Sequence, residues 1–489
     1  MTVAISRLYF LYVYKNAARP ALLIAAVAVA QFVVSLDISV VNVALPAIRA
    51  DLGFGPSGLQ WVVDIYALVL GGFLLLGGRL GDRFGHRSLF LSGLALFALA
   101  SLGGGLANTP QMLVVARAVQ GLGAAAMTPA ALAVLSTAFP AGPARARALG
   151  IWGAMGGIGG AAGVVLGGVL TEFAGWRWVM FVNIPVVVVG IALVSAAVPR
   201  DRHSVHQRSL DLPGAVLVTG GLGFLVLGVV RTHDVGWLSM ETLGALLAAV
   251  VLLTAFVAVE RRTAEPLVRF GLLARREVAA ANIFAFLLFG GQFAAFYFVS
   301  LYLQTVLGYS AVATGLAFLP FSAGLIAGTV VATRLAGRRP LRMVLTVGGL
   351  IAAAGFGWFG LINADGSILV DVLGPIVVTS VGLGLCLAPL AGAATAGAPP
   401  EDAGTAAALV NSSRQIGGSI GLAVLSTVAA VRTGEVRAPE SLTAGFALGL
   451  TLSAVLLLLA VTAALTLLPR TGPTSPARRP DTSTPGGRP

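Results

Sequence analysis

Apolar stretches long enough to cross a bilayer recur along this chain from end to end, and they constrain its fold more than any other feature. A run of about 20 apolar residues covers the ~30 Å of a hydrocarbon core as a helix. Lipid leaves a spanning backbone two solutions, a helix or a closed barrel, and these runs are too long for barrel strands of ~9–11 residues. The chain therefore reads as an all-α integral membrane protein. Composition agrees: 10% of the 489 residues are charged and 57% hydrophobic, with a mean hydropathy of +0.94.

Membrane-spanning helices are expected at 21–45, 57–77, 88–106, 111–138, 148–170, 177–199, 211–230, 237–258, 277–305, 310–333, 341–362, 368–395, 404–430 and 443–468. An even number of spans puts both termini on one face. With that face cytoplasmic, inner segments hold 24 of the 31 Lys and Arg, a strong positive-inside bias. The net charge of +12 is thus spread over short loops between spans. It forms no extended patch of the kind nucleic acid requires. Thirty of the basic residues are Arg and one is Lys15, which with abundant Ala, Gly, Val and Pro fits a GC-rich coding sequence. Single Cys386 lies in an apolar run, so there is no disulfide framework or Cys-based metal site, and no cleavable signal peptide is evident.

The spans group as six, two and six. Residues 1–20 read as a cytoplasmic N-terminal segment, 21–199 as a first six-helix half and 200–258 as a linker carrying two extra transmembrane helices. Residues 259–276 read as a cytoplasmic loop, 277–468 as the second six-helix half and 469–489 as a disordered cytoplasmic tail rich in Pro, Ser, Thr and Arg. A short internal match links the halves: Arg79-Leu80-Gly81 follows the second span, and Arg334-Leu335-Ala336 follows the second span of the last six. Two similar halves around a central site fit the duplicated architecture of secondary transporters.

Several segments together resemble the major facilitator superfamily and, within it, the fourteen-span drug:proton antiporters. Gly78 to Arg87, with Asp82, Arg83 and Gly85, is similar to that superfamily's loop signature. Leu36-Asp37-Ile38-Ser39-Val40-Val41-Asn42-Val43-Ala44-Leu45-Pro46 resembles the antiporters' first-helix motif, and Arg117-Ala118-Val119-Gln120-Gly121 their fourth-helix motif. Trp176-Arg177-Trp178 followed by Phe181, Asn183 and Pro185 looks like the start of their sixth helix. Leu210-Asp211 with Gly214, Glu260 with Pro266-Leu267, Tyr302-Leu303-Gln304 with Gly308-Tyr309-Ser310, and Arg414-Gln415-Ile416-Gly417-Gly418 continue the series over roughly residues 30 to 430. The fifth helix departs from the antiporter pattern, because Gly163 is followed by Val164 where that pattern has a proline. The resemblance implies a major facilitator fold of two six-helix halves plus two central helices, and proton-coupled efflux of hydrophobic drugs or antibiotics, cationic ones included. Export of an endogenous lipid or secondary metabolite, or proton-linked uptake, is the alternative.

Ionisable side chains within spans are costly in lipid and mark functional candidates. Asp37, Asp64, Arg117 and Arg414 qualify. Span direction places the first three in the outer half, where a carboxylate and a guanidinium can pair and part and so trade a proton. Asp37, Arg117 and Asp64 are therefore the proton-coupling candidates; fixed pairing between helices 1 and 4, or wetting of Asp64 at the interface, is the structural alternative. Gln31, Ser35, Ser39 and Asn42 fall in one 80° sector of span 1, a polar stripe that either lines a cavity or bonds a neighbouring helix, and Asp37 points away from it. Gln31, Asn42, Asp64, Gln292, Phe293, Tyr297 and Asn411 are the candidates for substrate contact, weighed against simple helix packing. Arg414 has no acidic partner evident in spans 9 to 14.

Conformational roles are expected for Gly78, Asp82, Arg83, Gly85 and Arg87, with Asp82 latching the two halves, and for Gly163, Gly167 and Gly168 in a glycine ladder beginning at Gly153. Glycines four apart let helices approach closely, which suits a helix sliding against one in the other half. The four His lie in loops, and no metal or nucleophile constellation points to an enzyme. No phosphate loop ending in Lys-Ser/Thr is present, so no nucleotide cofactor is implied. The expected partners are a small hydrophobic substrate, protons and membrane lipid, with no nucleic acid, for a monomer in the cell's inner or plasma membrane.

Overall fold

Among the described residues of the computed structural model, fourteen helices are long and apolar enough to cross a membrane. In chain order they are α1 (Pro20–Leu52), α2 (Trp61–Phe84), α3 (His86–Gly105), α4 (Pro110–Ala138), α5 (Arg147–Phe173), α6 (Trp178–Ala197) and α7 (Leu212–Thr232). They continue as α8 (Met240–Arg262), α9 (Arg276–Val306), α10 (Ala311–Leu335), α11 (Leu341–Phe359), α12 (Ile368–Thr395), α13 (Ala403–Thr433) and α14 (Pro439–Leu467). The structure describes residues 20–55, 58–139, 143–201, 211–263, 266–335, 338–399, 402–434 and 438–469, and among these there is no strand. The N-terminal segment through residue 19, positions 202–210 and the tail from 470 lie outside the described residues.

Local chemistry starts several of the helices. Thr109 accepts from the Met112 amide at 3.2 Å, with Pro110 opening α4; Asp211 accepts from Gly214 at 2.9 Å, and Ser239 from Thr242 at 3.1 Å. Each satisfies an amide that the first helical turn leaves without a carbonyl. Two elements differ from the sequence reading. Helix α1 continues past Pro46 to Leu52, because a proline near a helix end removes a single amide bond and buried Ile48 anchors the turn beyond it. Helix α6 is interrupted at Val182, between Trp178–Phe181 and Asn183–Ala197, which turns Asn183 inward.

The same pairings recur in two groups of six. In the first, α1 packs on α5 and α6, α4 on α2 and α3, and α3 on α6. In the second, α9 packs on α13 and α14, α12 on α10 and α11, and α11 on α14. The groups meet through α2 on α13 and α5 on α10, which are also equivalent pairs. Helices α7 and α8 pair with each other, and α7 leans on both α2 and α13 through Leu68, Leu222, Val226, Val230 and Ala423.

We call the end carrying the 78–87 loop proximal and the other distal. Polar contacts join the two groups near the distal end: Ser300 Oγ donates to the Asn42 carbonyl (2.9 Å), Gln304 Nε2 to the Val43 carbonyl (3.1 Å) and the Val312 amide to Glu172 (3.0 Å). Ser426 Oγ also donates to Gln60. The face of α5 toward α10 loosens in the proximal direction. A Cβ on Gly168 would stand 2.5 Å from the Ala311 carbonyl, and one on Gly315 2.2 Å from that of Val164. At Gly157 the nearest atom, on Ile326, is 3.8 Å away, and at Gly153 and Gly150 nothing lies within 4 Å. These positions share one helical face, so the α5/α10 seam is closed distally and opens proximally.

Candidate functional site

A carboxylate and a guanidinium are buried side by side within the first six helices. Arg117 Nη1 on α4 lies 2.5 Å from Asp37 Oδ2 on α1, and the two residues are 1% and 0% exposed. Further groups complete the cluster. Gln120 Nε2 and Asn183 Nδ2 donate to Asp37 Oδ1 at 3.2 and 2.8 Å, and Gln120 Nε2 also donates to Ser101 Oγ at 2.7 Å. Arg117 donates through Nε to the Val62 carbonyl at 2.9 Å and through Nη1 to Gln120 Oε1 at 2.9 Å, and its guanidinium lies 4.4 Å from the centre of the Tyr66 ring. Helices α1, α2, α3, α4 and α6 thus each supply a group.

This arrangement replaces water with fixed donors to the carboxylate and fixed acceptors for the guanidinium, which is the condition for a tolerable buried ion pair. Tyr66 Oη and Asn183 Oδ1 are buried beside it with no hydrogen-bond partner among the described residues. Because the donors to Asp37 come from α4 and α6, a shift of either helix against α1 changes what holds the carboxylate.

Asp64 stands apart from this pair. It is 0% exposed, and its Oδ1 accepts from Ser419 Oγ of α13 at 3.3 Å, while Oδ2 has no partner among the described residues. It is thus neither wetted at the interface nor bonded to Arg117; it sits where the two groups of helices touch.

The expected substrate-contact residues divide between different places. Gln31 donates to Ser35 Oγ at 3.2 Å and faces Gly156, while buried Asn42 donates to the Ile38 carbonyl at 2.7 Å. The polar stripe of α1 therefore runs along α5 and serves helix packing over much of its length. Gln292 borders a cleft with Phe296, Phe318, Phe321, Phe356 and Phe359, whereas Tyr297 borders a separate distal cleft with Gln60 and Ser426. Phe293 covers Gly418, and Asn411 is partly exposed.

In the proximal loop, Asp82 lies 3.6 Å from His86 Nε2 within its own turn. Arg79 donates to the Pro266 carbonyl before α9; Arg87 donates through Nη2 to the Ser195 carbonyl at 3.1 Å and through its amide to Asp201 at 3.2 Å. Arg83 rests over Phe84 (5.6 Å), and Gly78 packs toward Pro129. Gly85 has φ 94°, and a Cβ there would stand 2.1 Å from Asp201 Oδ2, so the turn admits glycine alone. The glycine ladder also differs from expectation. Gly159, Gly163 and Gly167 abut Phe32, Leu36 and Val40 of α1 in the same half, and Gly168 alone of the three named conformational glycines on α5 meets α10. Spacing of four gave the close approach but not the partner.

Gln120, Asn183, Ser101 and Tyr66 escaped the list of site candidates. Gln120, three residues after Arg117, shares its helix face, and that spacing was the available signal.

Residues 27–422 match the family model of the Major Facilitator Superfamily. The chain belongs to that superfamily. It is 46% identical over 403 residues to the cephamycin export protein CmcT of Amycolatopsis lactamdurans, covering 82% of this chain and 83% of that one. It is 41% identical over 402 residues to a puromycin resistance protein of Streptomyces alboniger, covering 82% and 80%. A bacterial homologue of the human lysosomal transporter Spinster, solved in an inward-facing and unoccupied conformation, superposes with a TM-score of 0.66 at 16% identity, covering 94% of this chain and 100% of that one. The protein is a multi-pass membrane transporter of the superfamily.

Proposed function

We propose that this transporter exports hydrophobic small molecules of the antibiotic type across the plasma membrane by alternating access, in exchange for protons carried at Asp37. The buried Asp37–Arg117 pair carries the reading. A carboxylate held in a dry core by donors on separate helices changes its partners whenever those helices move, which supports a coupling role. The α5/α10 seam, closed distally and opening proximally, supports a central path open to one side at a time. The excess of Arg in the proximal loops orients that side, and both termini, to the cytoplasm. The export and resistance proteins to which the chain is similar support outward movement of antibiotics.

The test is resistance in a host strain stripped of its own efflux pumps. Expression is expected to lower accumulation of some dyes or antibiotics in a panel, and a protonophore to restore it. Accumulation unchanged across the panel, or efflux that survives collapse of the proton gradient, would refute the reading.

A further inference from the structure

Arg414 of α13 rests on the face of the Phe289 ring, 4.2 Å from its centre, and so has a place in the packing. Two buried acids at the proximal end have no such account. Asp211, at the start of α7, and Glu260, in the last turn of α8, are 4% and 2% exposed. One oxygen of each is engaged: Asp211 Oδ1 accepts from the Gly214 amide at 2.9 Å, and Glu260 Oε2 from the Val268 amide at 3.1 Å. The other two, Asp211 Oδ2 and Glu260 Oε1, are buried with no hydrogen-bond partner among the described residues. They lie 2.7 and 2.8 Å from the point where a Gly214 Cβ would stand, so they crowd one small space. The two carboxyl groups are within hydrogen-bonding reach of each other.

An ionised carboxylate only accepts hydrogen bonds. Two of them face to face in a buried place leave both oxygens without a donor and set like charges together, which is costly on both counts. A single proton removes both faults, because one acid then donates to the other. Charge agrees. Besides Asp211, the charged group acting on Glu260 is Arg79 of α2. One guanidinium and two carboxyls that share a proton sum to zero. On the elements around the pair, Asp82 is turned to His86 and Arg269 to Asp402, while Arg261 and Arg262 are exposed. Ala215 and Leu267, next in the chain to these contacts, pack with Leu76 in a buried apolar cluster that lines the joint. The space between the two acids would not admit a methyl group on Gly214, and a proton needs no cavity.

We infer that Asp211 and Glu260 form a proton-binding site separate from Asp37, holding one proton between Asp211 Oδ2 and Glu260 Oε1. This goes beyond the export reading and stands without it. The proton also has a mechanical part. Glu260 holds the Val268 amide and Arg79 the Pro266 carbonyl, so the segment entering α9 is gripped from α8 and from α2 together. Loss of the proton sets two carboxylates against each other where α7 and α8 meet, and loosens that grip. The added pair of helices is thereby a proton-dependent clamp between the proximal ends of the two six-helix groups.

The probe is the proton itself, followed by infrared spectroscopy of the purified full-length protein, since a protonated carboxyl shows a C=O band that an ionised one lacks. Wild type at neutral pH is expected to show one such band that is missing from both Glu260→Gln and Asp211→Asn. In either variant the amide N–H takes the place of the shared proton, and the remaining acid ionises. Bands from other acids, Asp64 included, are common to all three proteins and cancel in the difference. Asp211→Asn, which can still cap α7, decides the matter if Glu260→Gln does not fold. Identical spectra in all three proteins, as when both acids are ionised or a metal ion bridges them, overturn the inference, and so does a band that persists in a folded variant. Stability gives a second measurement. Unfolded carboxyls lose their protons at about pH 4. The native pair keeps one, so above that pH the native state binds more protons than the unfolded chain. Wild type is then expected to lose stability relative to Glu260→Gln as pH rises until the proton leaves, by up to about ten-fold per pH unit in the unfolding constant. Parallel pH profiles of the two proteins overturn the inference.

Discussion

Removing one member of the Asp37–Arg117 pair and removing its charge are different perturbations. Arg117→Gln leaves a carboxylate 0% exposed without its counter-charge, a change that costs about 3–5 kcal/mol in buried pairs. Asp37→Asn/Arg117→Gln removes both charges while keeping the shapes. The double variant is therefore expected to melt at a higher temperature than Arg117→Gln alone and still to fail in uphill export. A double variant no more stable than the single one would mean that the two residues are not energetically coupled. Gln120 offers a finer probe. Gln120→Leu withdraws donors from Asp37 and Ser101 and an acceptor from Arg117, an expected loss of about 1–3 kcal/mol by thermal unfolding together with a shifted pH profile of efflux. A pH profile identical to wild type would reduce Gln120 to a packing role. At this scale the sequence showed the charged pair, because depth along two oppositely running helices placed Asp37 and Arg117 at one level. It did not show the donors Gln120, Asn183 and Ser101, whose convergence depends on helix rotation. Nor did it show that Phe289 is what faces Arg414, since a ring face leaves no charge signature.

Among the elements, α5 separates tight from open glycines along its length. A methyl group on Gly163 would press within 2.6 Å of the Leu36 carbonyl, so Gly163→Ala is expected to cost about 1–3 kcal/mol by overpacking. Gly153, with nothing within 4 Å, should accept alanine at no cost or gain up to about 1 kcal/mol from helix propensity. Thermal melts of the two variants check this, and equal effects would contradict the seam assigned to α1. The base of the added helices α7 and α8 is the second informative place. Asp211 Oδ2 and Glu260 Oε1 both lie within 2.8 Å of where a Gly214 Cβ would stand, and neither has a partner among the described residues. Glu260→Gln supplies an N–H to the facing carboxylate and is expected to preserve or raise stability, whereas Glu260→Ala loses the bond to the Val268 amide and should lower it. A Gln variant less stable than the Ala variant would contradict that geometry. The sequence announced close packing here through glycine spacing and gave the helix limits well. It missed the continuation of α1 beyond Pro46, since the expected span ends at residue 45.

For the whole molecule, the repeated pairings of α1–α6 and α9–α14 supply two bodies that can rock about the α2/α13 and α5/α10 contacts. The number of spans and the charge of their connections were legible because lipid imposes both on the chain. Which faces of the helices meet was not, since apolar residues toward lipid and toward another helix look alike in sequence. Orientation is open to direct measurement. A single cysteine at position 83 on a Cys386→Ser background should escape impermeant thiol reagents in intact cells and react once the membrane is opened; labelling from outside would reverse the topology. The central claim is that movement of substrate is tied to a proton at Asp37. The measurement that tests it most directly is substrate-driven proton flux in proteoliposomes containing wild type or Asp37→Asn, with downhill exchange recorded in the same vesicles. The account predicts that Asp37→Asn abolishes the coupled proton flux and uphill transport while some downhill exchange persists, because the charge is lost and the shape is kept. Uphill transport with unchanged proton flux in Asp37→Asn would contradict it, and would make the pair a structural tie between α1 and α4.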